Sequence, residues 1–300
     1  YVAKEIGKIS ANYLDKIILF IYNNFNMLYI PTVIKLFEYI KTINLLSIKI
    51  QKGWWYLIQT SPKKCTLDKI KILSGAQLKY IAFVSMLIDH VNKALIYPNL
   101  NGEGLLLKIS NLFDVLGRIA FPIFAFLLVE GFFNTKNRKN YLLYLLGFAI
   151  ISEVPFDLFV TKTFFNPRFN NVLFSLSLAL ITIWIIDIIK TKIKKSPRII
   201  WYTISLFIVT IMCFISMFLS VDYDYHAILI VYFFYIFYNK PILSSIFGYL
   251  SIFKEVWATL GFGFILTYNG KRGKQSKILN YCFYPVHLLI LGLLRMYFNI

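Results

Sequence analysis

The fold is decided by residues 78–97, which read Leu-Lys-Tyr-Ile-Ala-Phe-Val-Ser-Met-Leu-Ile-Asp-His-Val-Asn-Lys-Ala-Leu-Ile-Tyr. This stretch is long and apolar enough to cross a bilayer, yet it contains Lys79, Asp89, His90 and Lys93. An ionisable group in a spanning helix costs roughly 2.5–3.5 kcal/mol on insertion, so these side chains are candidates for function. Lys79 and His90 are eleven residues apart, which in an α-helix corresponds to three turns plus about 20° and to a rise of about 16 Å. One helix face therefore aligns a cation near a membrane surface with an imidazole deep inside.

The composition is that of a polytopic membrane protein. Of the 300 residues, 58% are hydrophobic and only 15% are charged, whereas a soluble domain averages about 25% charged residues. The net charge of +18 comes from basic residues that lie mainly between hydrophobic runs, where the preference for positive cytoplasmic loops accounts for them. No nucleic-acid partner is therefore predicted. The scattered cysteines Cys65, Cys213 and Cys282 favour neither a disulfide framework nor a zinc site.

Hydropathy predicts an all-α transmembrane helix bundle of about 8–10 spans in the cytoplasmic membrane. The loops at 98–108 and 222–225 have little positive charge and are expected outside. Residues 241–266 precede a basic segment, so parity favours two short crossings or a re-entrant hairpin that turns near Lys254-Glu255. The remaining predicted spans lie at 109–133, 141–160, 171–189, 199–219, 226–238 and 283–298.

Residues 1–75 differ from the remainder and form a separate region in this interpretation. Residues 13–34 are apolar but interrupted by polar side chains, and a basic amphipathic stretch follows at 35–52. The region is either an interfacial amphipathic helix, with its basic face on anionic headgroups, or one additional span. Residues 76–300 form the transmembrane domain.

Several polar residues lie within the other predicted spans. Arg118 cannot be neutralised by deprotonation and must find an anion or carbonyl groups; Asp114, one turn earlier, is a possible partner. Glu153 and Asp157 flank Pro155 at a spacing where like charges repel. His287 lies near the start of the last span. A further cluster consists of Asp222, Asp224 and His226. Its spacing resembles that of metal ligands, but we expect a solvated loop and predict no metal site there.

These residues lie in segments that resemble the TraX family. The resemblance is clearest at 117–132, which reads Gly-Arg-Ile-Ala-Phe-Pro-Ile-Phe-Ala-Phe-Leu-Leu-Val-Glu-Gly-Phe, and extends to 78–90, 141–157, 171–176 and 284–290. TraX-type proteins are integral membrane proteins named for the N-terminal acetylation of conjugative pilin, and they resemble the broader integral-membrane acyltransferase superfamily. In that superfamily a basic residue, ten intervening residues and a histidine form a signature, which Lys79 and His90 match.

The resemblance implies an acyltransferase that uses acetyl-CoA or another acyl-CoA as donor. His90 is expected to be the base or acyl-relay residue, oriented by Asp89 or Glu153, with Arg118 stabilising an anion. Lys79 and His287 are the candidates for contact with the donor. The acceptor stays open between a peptide amino terminus, pilin and a glycan. The alternatives are a transporter or flippase in which Lys79 and His90 form a proton relay, and a membrane assembly partner with no catalysis.

Overall fold

The computed structural model describes residues 70–299 except 101, 103, 167 and 194–196, and for 277 and 278 it describes the backbone alone. The prediction of an amphipathic or additional membrane helix within residues 1–75 falls almost entirely outside the described residues. In the described part the regular structure is helical, and the only strand-like pairings are two isolated bridges, Leu73 with Tyr268 and Asn170 with Val221. The all-α bundle predicted from hydropathy is confirmed.

Ten α-helices follow one another in the described part of the chain. They are α1 (Gly75–Val91), α2 (Leu105–Gly117), α3 (Ala120–Asn134), α4 (Arg138–Thr161), α5 (Val172–Lys192), α6 (Arg198–Phe218), α7 (Asp224–Ile236), α8 (Pro241–Leu250), α9 (Ala258–Leu266) and α10 (Lys277–Tyr297). Five stretches in this part are long and apolar enough to cross a bilayer: Leu105–Asn134, Arg138–Thr161, Val172–Lys192, Arg198–Phe218 and Leu279–Tyr297. The protein is therefore a multi-pass membrane protein, and shorter apolar helices fill the spaces between these spans.

The first helix changes its winding near its end. Ser74 and Gln77 form a reciprocal capping box that starts α1. After Val91 the backbone continues as a π-helical turn, Asn92–Ile96, and then as a 3₁₀ turn, Tyr97–Asn99. The predicted span at 78–97 is thus helical throughout, but its last turns are irregular. Such π-helical turns occur frequently at functional sites, and this one begins two residues after His90.

The predicted span at 109–133 is broken in the structure. Helix α2 ends at Gly117 and α3 begins at Ala120, with Arg118 between them. Two glycines allow neighbouring helices to approach the break: a Cβ on Gly117 would lie 2.5 Å from the Cβ of Asp89 in α1, and a Cβ on Gly261 in α9 would lie 2.7 Å from the carbonyl oxygen of Ile119. The break is therefore held between α1 and α9.

Helix α7 is the centre of the bundle. All residues from Ala227 to Tyr235 are buried, as expected for a helix that is apolar on every face. Helices α3, α5, α6 and α8 pack around it. Because α7 begins immediately after the loop at 219–223, this packing fixes the position of that loop.

Helices α8 and α9 form a hairpin. They pack against one another, and the turn between them contains Lys254 and Glu255. Charge parity predicted two short crossings or a re-entrant hairpin for residues 241–266, and the two short helices with a turn at Lys254-Glu255, which both alternatives share, are confirmed. At the opposite end, the basic segment that follows α9 pairs with the start of α1, since the N–H groups of Gly75 and Ala76 donate to the carbonyls of Lys271 and Arg272 at 2.8 Å.

Helix α5 begins far from the end of the helix before it. Its N-cap residue Asn171 donates from Nδ2 to the carbonyl of Ala149 at 2.8 Å, and Ala149 lies about 18 Å along α4 from Thr161 at 1.5 Å per residue. The N–H of Asp222 in turn donates to the carbonyl of Asn170 at 2.8 Å. The loop before α5 and the loop before α7 are therefore joined at a level well inside the bundle.

Candidate functional site

Two histidines from the first and last described helices form a direct hydrogen bond. His90 Nδ1 lies 2.7 Å from His287 Nε2, although the two residues are 197 positions apart. The ring planes differ by 7° and the centroids are 5.0 Å apart, which is the geometry of two rings joined edge to edge. The ring of Phe159 packs against His90 at 5.0 Å. His287 is buried, and its Nδ1 lies 2.6 Å from the carbonyl oxygen of Phe283.

Arg118 lies at the break between α2 and α3 and contacts two carboxylates. Its Nη2 pairs with Asp114 of the preceding turn, and its Nε lies 3.2 Å from Glu255 Oε2 in the α8–α9 turn. The side chain of Arg118 retains 21% of its exposure. Its contacts with two partly exposed acids leave part of the guanidinium open to the cavity beside it.

Asp89 and Lys93 form an ion pair within α1, with Lys93 Nζ 2.7 Å from Asp89 Oδ2. The other carboxylate oxygen of Asp89 is buried against Gly117 and has no hydrogen-bond partner among the described residues. The hydroxyl of Ser85, one turn earlier, donates to the carbonyl of Leu116 at 2.6 Å. These contacts fix the His90 turn of α1 against the broken helix.

A cavity of about 300 Å³ lies between these groups. This volume is at the lower end of the range of small-molecule sites. Its lining contains four carboxylates, three cationic side chains, two imidazoles, a phenol and one apolar residue. They are Asp89, His90, Lys93, Arg118, Asp222, Tyr223, Asp224, His226, Ile252, Lys254 and Glu255. The predicted base His90 and the predicted anion-binding Arg118 therefore line the same cavity.

The loop before α7 supplies residues that sequence reasoning assigned to a solvated loop. Ser220, Tyr223 and Asp224 have left-handed backbone conformations, which are unfavourable for residues other than glycine. The ring of Tyr223 stacks on Phe121 of α3 with the centroids 3.6 Å apart, and the hydroxyl of Ser175 donates to the carbonyl of Asp222. The signal that could have located this loop is its run of acidic and aromatic residues, Asp-Tyr-Asp-Tyr-His, directly before an entirely apolar helix.

The electrostatics of this loop follow from crowding inside the cavity. Part of the Asp222 side chain is accessible to solvent, but the surrounding protein atoms displace most of the water around its carboxylate. This desolvation and the nearby carboxylates of Asp89 and Asp224 raise the pKa of Asp222 from 3.8 to about 6. Lys93 opposes the shift. Burial and the carboxylate of Asp222 likewise raise the pKa of the Tyr223 phenol. Tyr223 therefore remains a hydrogen-bond donor at neutral pH.

The structure gives other partners to the two carboxylates that were predicted to orient His90. Glu153 accepts hydrogen bonds from the side chain and the N–H of Asn171, and Asp89 pairs with Lys93. The expectation that Asp89 or Glu153 orients His90 is therefore corrected, because the hydrogen bond of His90 goes to His287. Since Asn171 caps α5 beside α4, Glu153 instead fixes the start of α5.

The two residues predicted to contact the donor are separated in the structure. Lys79 lies near the start of α1, where its Nζ donates to Gln275 Oε1 at 3.2 Å, whereas His287 lies beside His90. Of these two, only Lys79 lies at the basic end of the bundle, near Arg272. No group of His, Cys, Asp or Glu suited to hold a metal ion is found among the residues that the structure describes.

Comparison with known proteins agrees with the family resemblance. A family model described as TraX protein matches residues 74–295. A similar protein is the "Probable fimbrial assembly protein FimC, serogroup H1" of Dichelobacter nodosus, which is 35% identical over 122 residues, covering 37% of this chain and 46% of the relative. The aligned region thus spans about half the length of that curated relative. No solved structure matches the chain. Because the family model covers well over half of the sequence, including both histidines and Arg118, the chain belongs to the TraX family.

Proposed function

We propose that this protein is an integral-membrane acyltransferase that moves an acyl group, in the simplest case acetyl, from acyl-CoA to an amine or hydroxyl acceptor. The observation that carries the proposal is the cavity in which His90, hydrogen-bonded to a second histidine, faces the same space as Arg118. Acyl transfer needs a base for the acceptor proton and a cation or hydrogen-bond donor for the developing oxyanion. Both kinds of group line this cavity.

In the proposed reaction His90 removes a proton from the acceptor as its nitrogen or oxygen attacks the thioester carbonyl. The carbonyl oxygen becomes an oxyanion, which Arg118 stabilises. When the tetrahedral intermediate collapses, the carbon–sulfur bond breaks and His90 returns the proton to the departing CoA thiolate. The products are the acylated acceptor and free CoA, so that no other reactant is required. A well-placed oxyanion donor is worth about 10²–10³-fold in rate.

The donor is expected to enter from the basic end of the bundle. Lys79 and Arg272 lie there, and basic loops face the cytoplasm under the positive-inside rule, where acyl-CoA is made. Lys79 would contact a phosphate of CoA, and the rise of about 16 Å along α1 to His90 is comparable to the length of an extended pantetheine arm. In this arrangement the protein lies in the cytoplasmic membrane with its cavity toward the outer side.

The acceptor is proposed to be a subunit of a pilus or fimbria, through its amino terminus. This proposal rests on the family and on the name of the Dichelobacter nodosus relative, a probable fimbrial assembly protein. A different secreted peptide or a cell-envelope glycan with a free amine or hydroxyl would satisfy the same chemistry. The cavity holds only the reacting end of such a molecule, since its volume is about 300 Å³.

The test is thioester turnover by the purified protein in detergent. Acetyl-CoA is mixed with peptides that have free amino termini, and free CoA thiol and the mass increase of one acetyl group are measured together. The wild-type protein should produce both in equal amounts, and His90→Ala should produce neither. Val84→Ala is the matched control, because Val84 is exposed on the same helix and should leave turnover unchanged.

Full activity of His90→Ala would remove His90 from the mechanism. Acyl transfer would be contradicted if the wild-type protein bound acetyl-CoA without releasing thiol. Accumulation of a substrate in proteoliposomes would then favour a transporter.

A further inference from the structure

The hydrogen bonds of the two histidines form a chain with one direction. A backbone carbonyl can only accept a hydrogen bond, so the contact of 2.6 Å between His287 Nδ1 and the Phe283 carbonyl requires a proton on Nδ1 of His287. A neutral imidazole has one protonated nitrogen, which leaves Nε2 of His287 as an acceptor. The bond of 2.7 Å to His90 then requires the proton on Nδ1 of His90.

The surroundings of His287 favour its neutral form. The residue is 6% exposed, and its ring packs between Phe283 at 4.8 Å and Tyr284 at 5.8 Å. No carboxylate among the described residues pairs with it. A buried cation without a partner is strongly disfavoured relative to the neutral ring. The reversed chain, in which a doubly protonated His287 donates to His90, therefore has no compensating charge.

The remaining nitrogen of His90 is free for chemistry. Its Nδ1 is directed toward His287, so its Nε2 lies on the other side of the ring, and no described residue forms a hydrogen bond with Nε2. His90 lines the cavity, whereas His287 is absent from its lining. The unprotonated Nε2 of His90 thus belongs to the histidine that lines the cavity, whereas the unprotonated Nε2 of His287 is occupied by its hydrogen bond with His90.

We propose that His287 is a positioning residue that holds His90 in the tautomer protonated at Nδ1, which makes Nε2 of His90 the reacting nitrogen. The assignment of the tautomer stands on the hydrogen-bond geometry alone, whereas its catalytic meaning rests on the proposed acyl transfer. His287 occupies the place that a carboxylate has in many catalytic triads, where the partner fixes the tautomer and orientation of the base. A neutral partner does this without placing a second charge in the membrane interior.

The pair also accommodates the proton that the reaction delivers. When His90 takes the acceptor's proton on Nε2 it becomes an imidazolium, and its Nδ1–H continues to donate to the neutral His287. That hydrogen bond is then charge-assisted and stronger. No ring rotation and no change of partner is needed before the proton passes to the leaving thiolate.

The tautomer can be measured directly because the chain has only three histidines. Nitrogen-15 spectra of histidine-labelled protein, simplified by His226→Asn, distinguish protonated from unprotonated ring nitrogens. We expect both His90 and His287 to be protonated at Nδ1. In His287→Leu the acceptor is lost, and His90 should change to the form protonated at Nε2, which free imidazoles prefer. A wild-type spectrum with the proton of His90 on Nε2 would overturn the proposal.

Kinetics separate positioning from a merely structural role. His287→Leu should lower kcat by about 10²-fold, in line with loss of an orienting partner, and leave KM for acetyl-CoA within about twofold. His287→Gln, whose amide oxygen can accept from His90 Nδ1, should stay within about tenfold of wild type. Cys282→Ala, at an exposed position of the same helix, is the control for expression and thermal stability and should show wild-type kinetics.

Equal loss of kcat in the Leu and Gln variants, with both proteins folded, would refute the positioning role, as would a change confined to KM. If the wild-type protein releases no thiol with any peptide, the proposed acyl transfer fails, while the nitrogen-15 spectra still decide the tautomer. The two failures are thereby distinguishable.

Discussion

The substitution Gly117→Ala tests how closely α1 must approach the broken helix. A Cβ at this position would lie 2.5 Å from the Cβ of Asp89 and 2.6 Å from its Oδ1. Carbon atoms in contact are normally about 3.5–4.0 Å apart, so the two backbones would have to separate by about 1 Å. The contact is with atoms near the main chain of α1, which a change of rotamer cannot remove.

The expected loss of stability can be worked from two contributions. Overpacking of a close contact costs about 1–3 kcal/mol. The separation also stretches the hydrogen bond of 2.6 Å from the Ser85 hydroxyl to the Leu116 carbonyl, which is worth about 1 kcal/mol. Together these give about 2–4 kcal/mol. At roughly 2–4 °C per kcal/mol for a chain of this size, Tm should fall by at least about 4 °C.

The assay is thermal unfolding in detergent, followed by the reaction of the buried Cys213 with a thiol-reactive dye in protein that carries Cys65→Ala and Cys282→Ala. Gly147→Ala in α4 is the matched control, because no described residue lies within 4 Å of the added Cβ and alanine is the better helix former by about 1 kcal/mol. This control should raise Tm slightly. Because a displacement of about 1 Å in a site can cost about 10²-fold in rate, thioester turnover should also fall in Gly117→Ala.

The close approach of α1 to the break would be refuted if Gly117→Ala had a Tm equal to or above that of wild type while Gly147→Ala behaved as expected. Normal stability with unchanged turnover would further show that the His90 turn does not depend on this contact.

Two further predictions concern the lining of the cavity. Arg118→Gln should lower kcat/KM by about 10²–10³-fold, because it removes the cation proposed to stabilise the oxyanion. Steady-state kinetics would test this beside Arg118→Lys, which retains the charge. Wild-type values of kcat/KM in both variants would contradict the role. The pKa of Asp222 in the folded protein is about 6, above its ordinary value of 3.8. The folded protein therefore binds this proton more tightly than the unfolded chain does. The stability that this provides is lost as the pH rises from about 4 to about 6. The Tm of Asp222→Asn relative to wild type should therefore increase over that pH range, and an equal difference at pH 4 and pH 7 would exclude the shift.

Much of the bundle could be predicted from hydropathy and charge. Predominantly apolar segments located α4, α5 and α6 within a few residues, since about twenty predominantly apolar residues have few alternatives to a spanning helix. The α8–α9 hairpin followed from the requirement that the basic residues on either side of 241–266 face the same compartment. These are properties of single segments, and a single sequence contains them.

The break at Arg118 could not be predicted, because it depends on what surrounds it. The only charged residues among 109–133 are Asp114, Arg118 and Glu130, and hydropathy favours one helix. In the structure Gly117 and Gly261 admit α1 and α9 to the backbone at this point. The close approach of three helices is a property of the packed bundle and leaves no periodic signal in the sequence.

The arrangement of the site was predicted in part. The spacing of Lys79 and His90 and the charge of Arg118 singled out two residues that line one cavity, because ionisable groups within apolar segments are candidates for function. The partner of His90 was assigned to nearby carboxylates, whereas the structure supplies His287 from the last helix. Nothing local to either histidine indicates the other, and only the packing of α10 against α1 and α4 brings them together.

His90 and His287 lie 197 positions apart in the sequence, and this distance along the chain has a consequence for biosynthesis. Ribosomes deliver a chain from its amino end, so His90 enters the membrane long before the helix that contains His287 has been translated. Until α10 inserts beside α1 and α4, Nδ1 of His90 has no His287 with which to form its hydrogen bond. The membrane therefore receives the complete His90–His287 pair only when translation has passed α10.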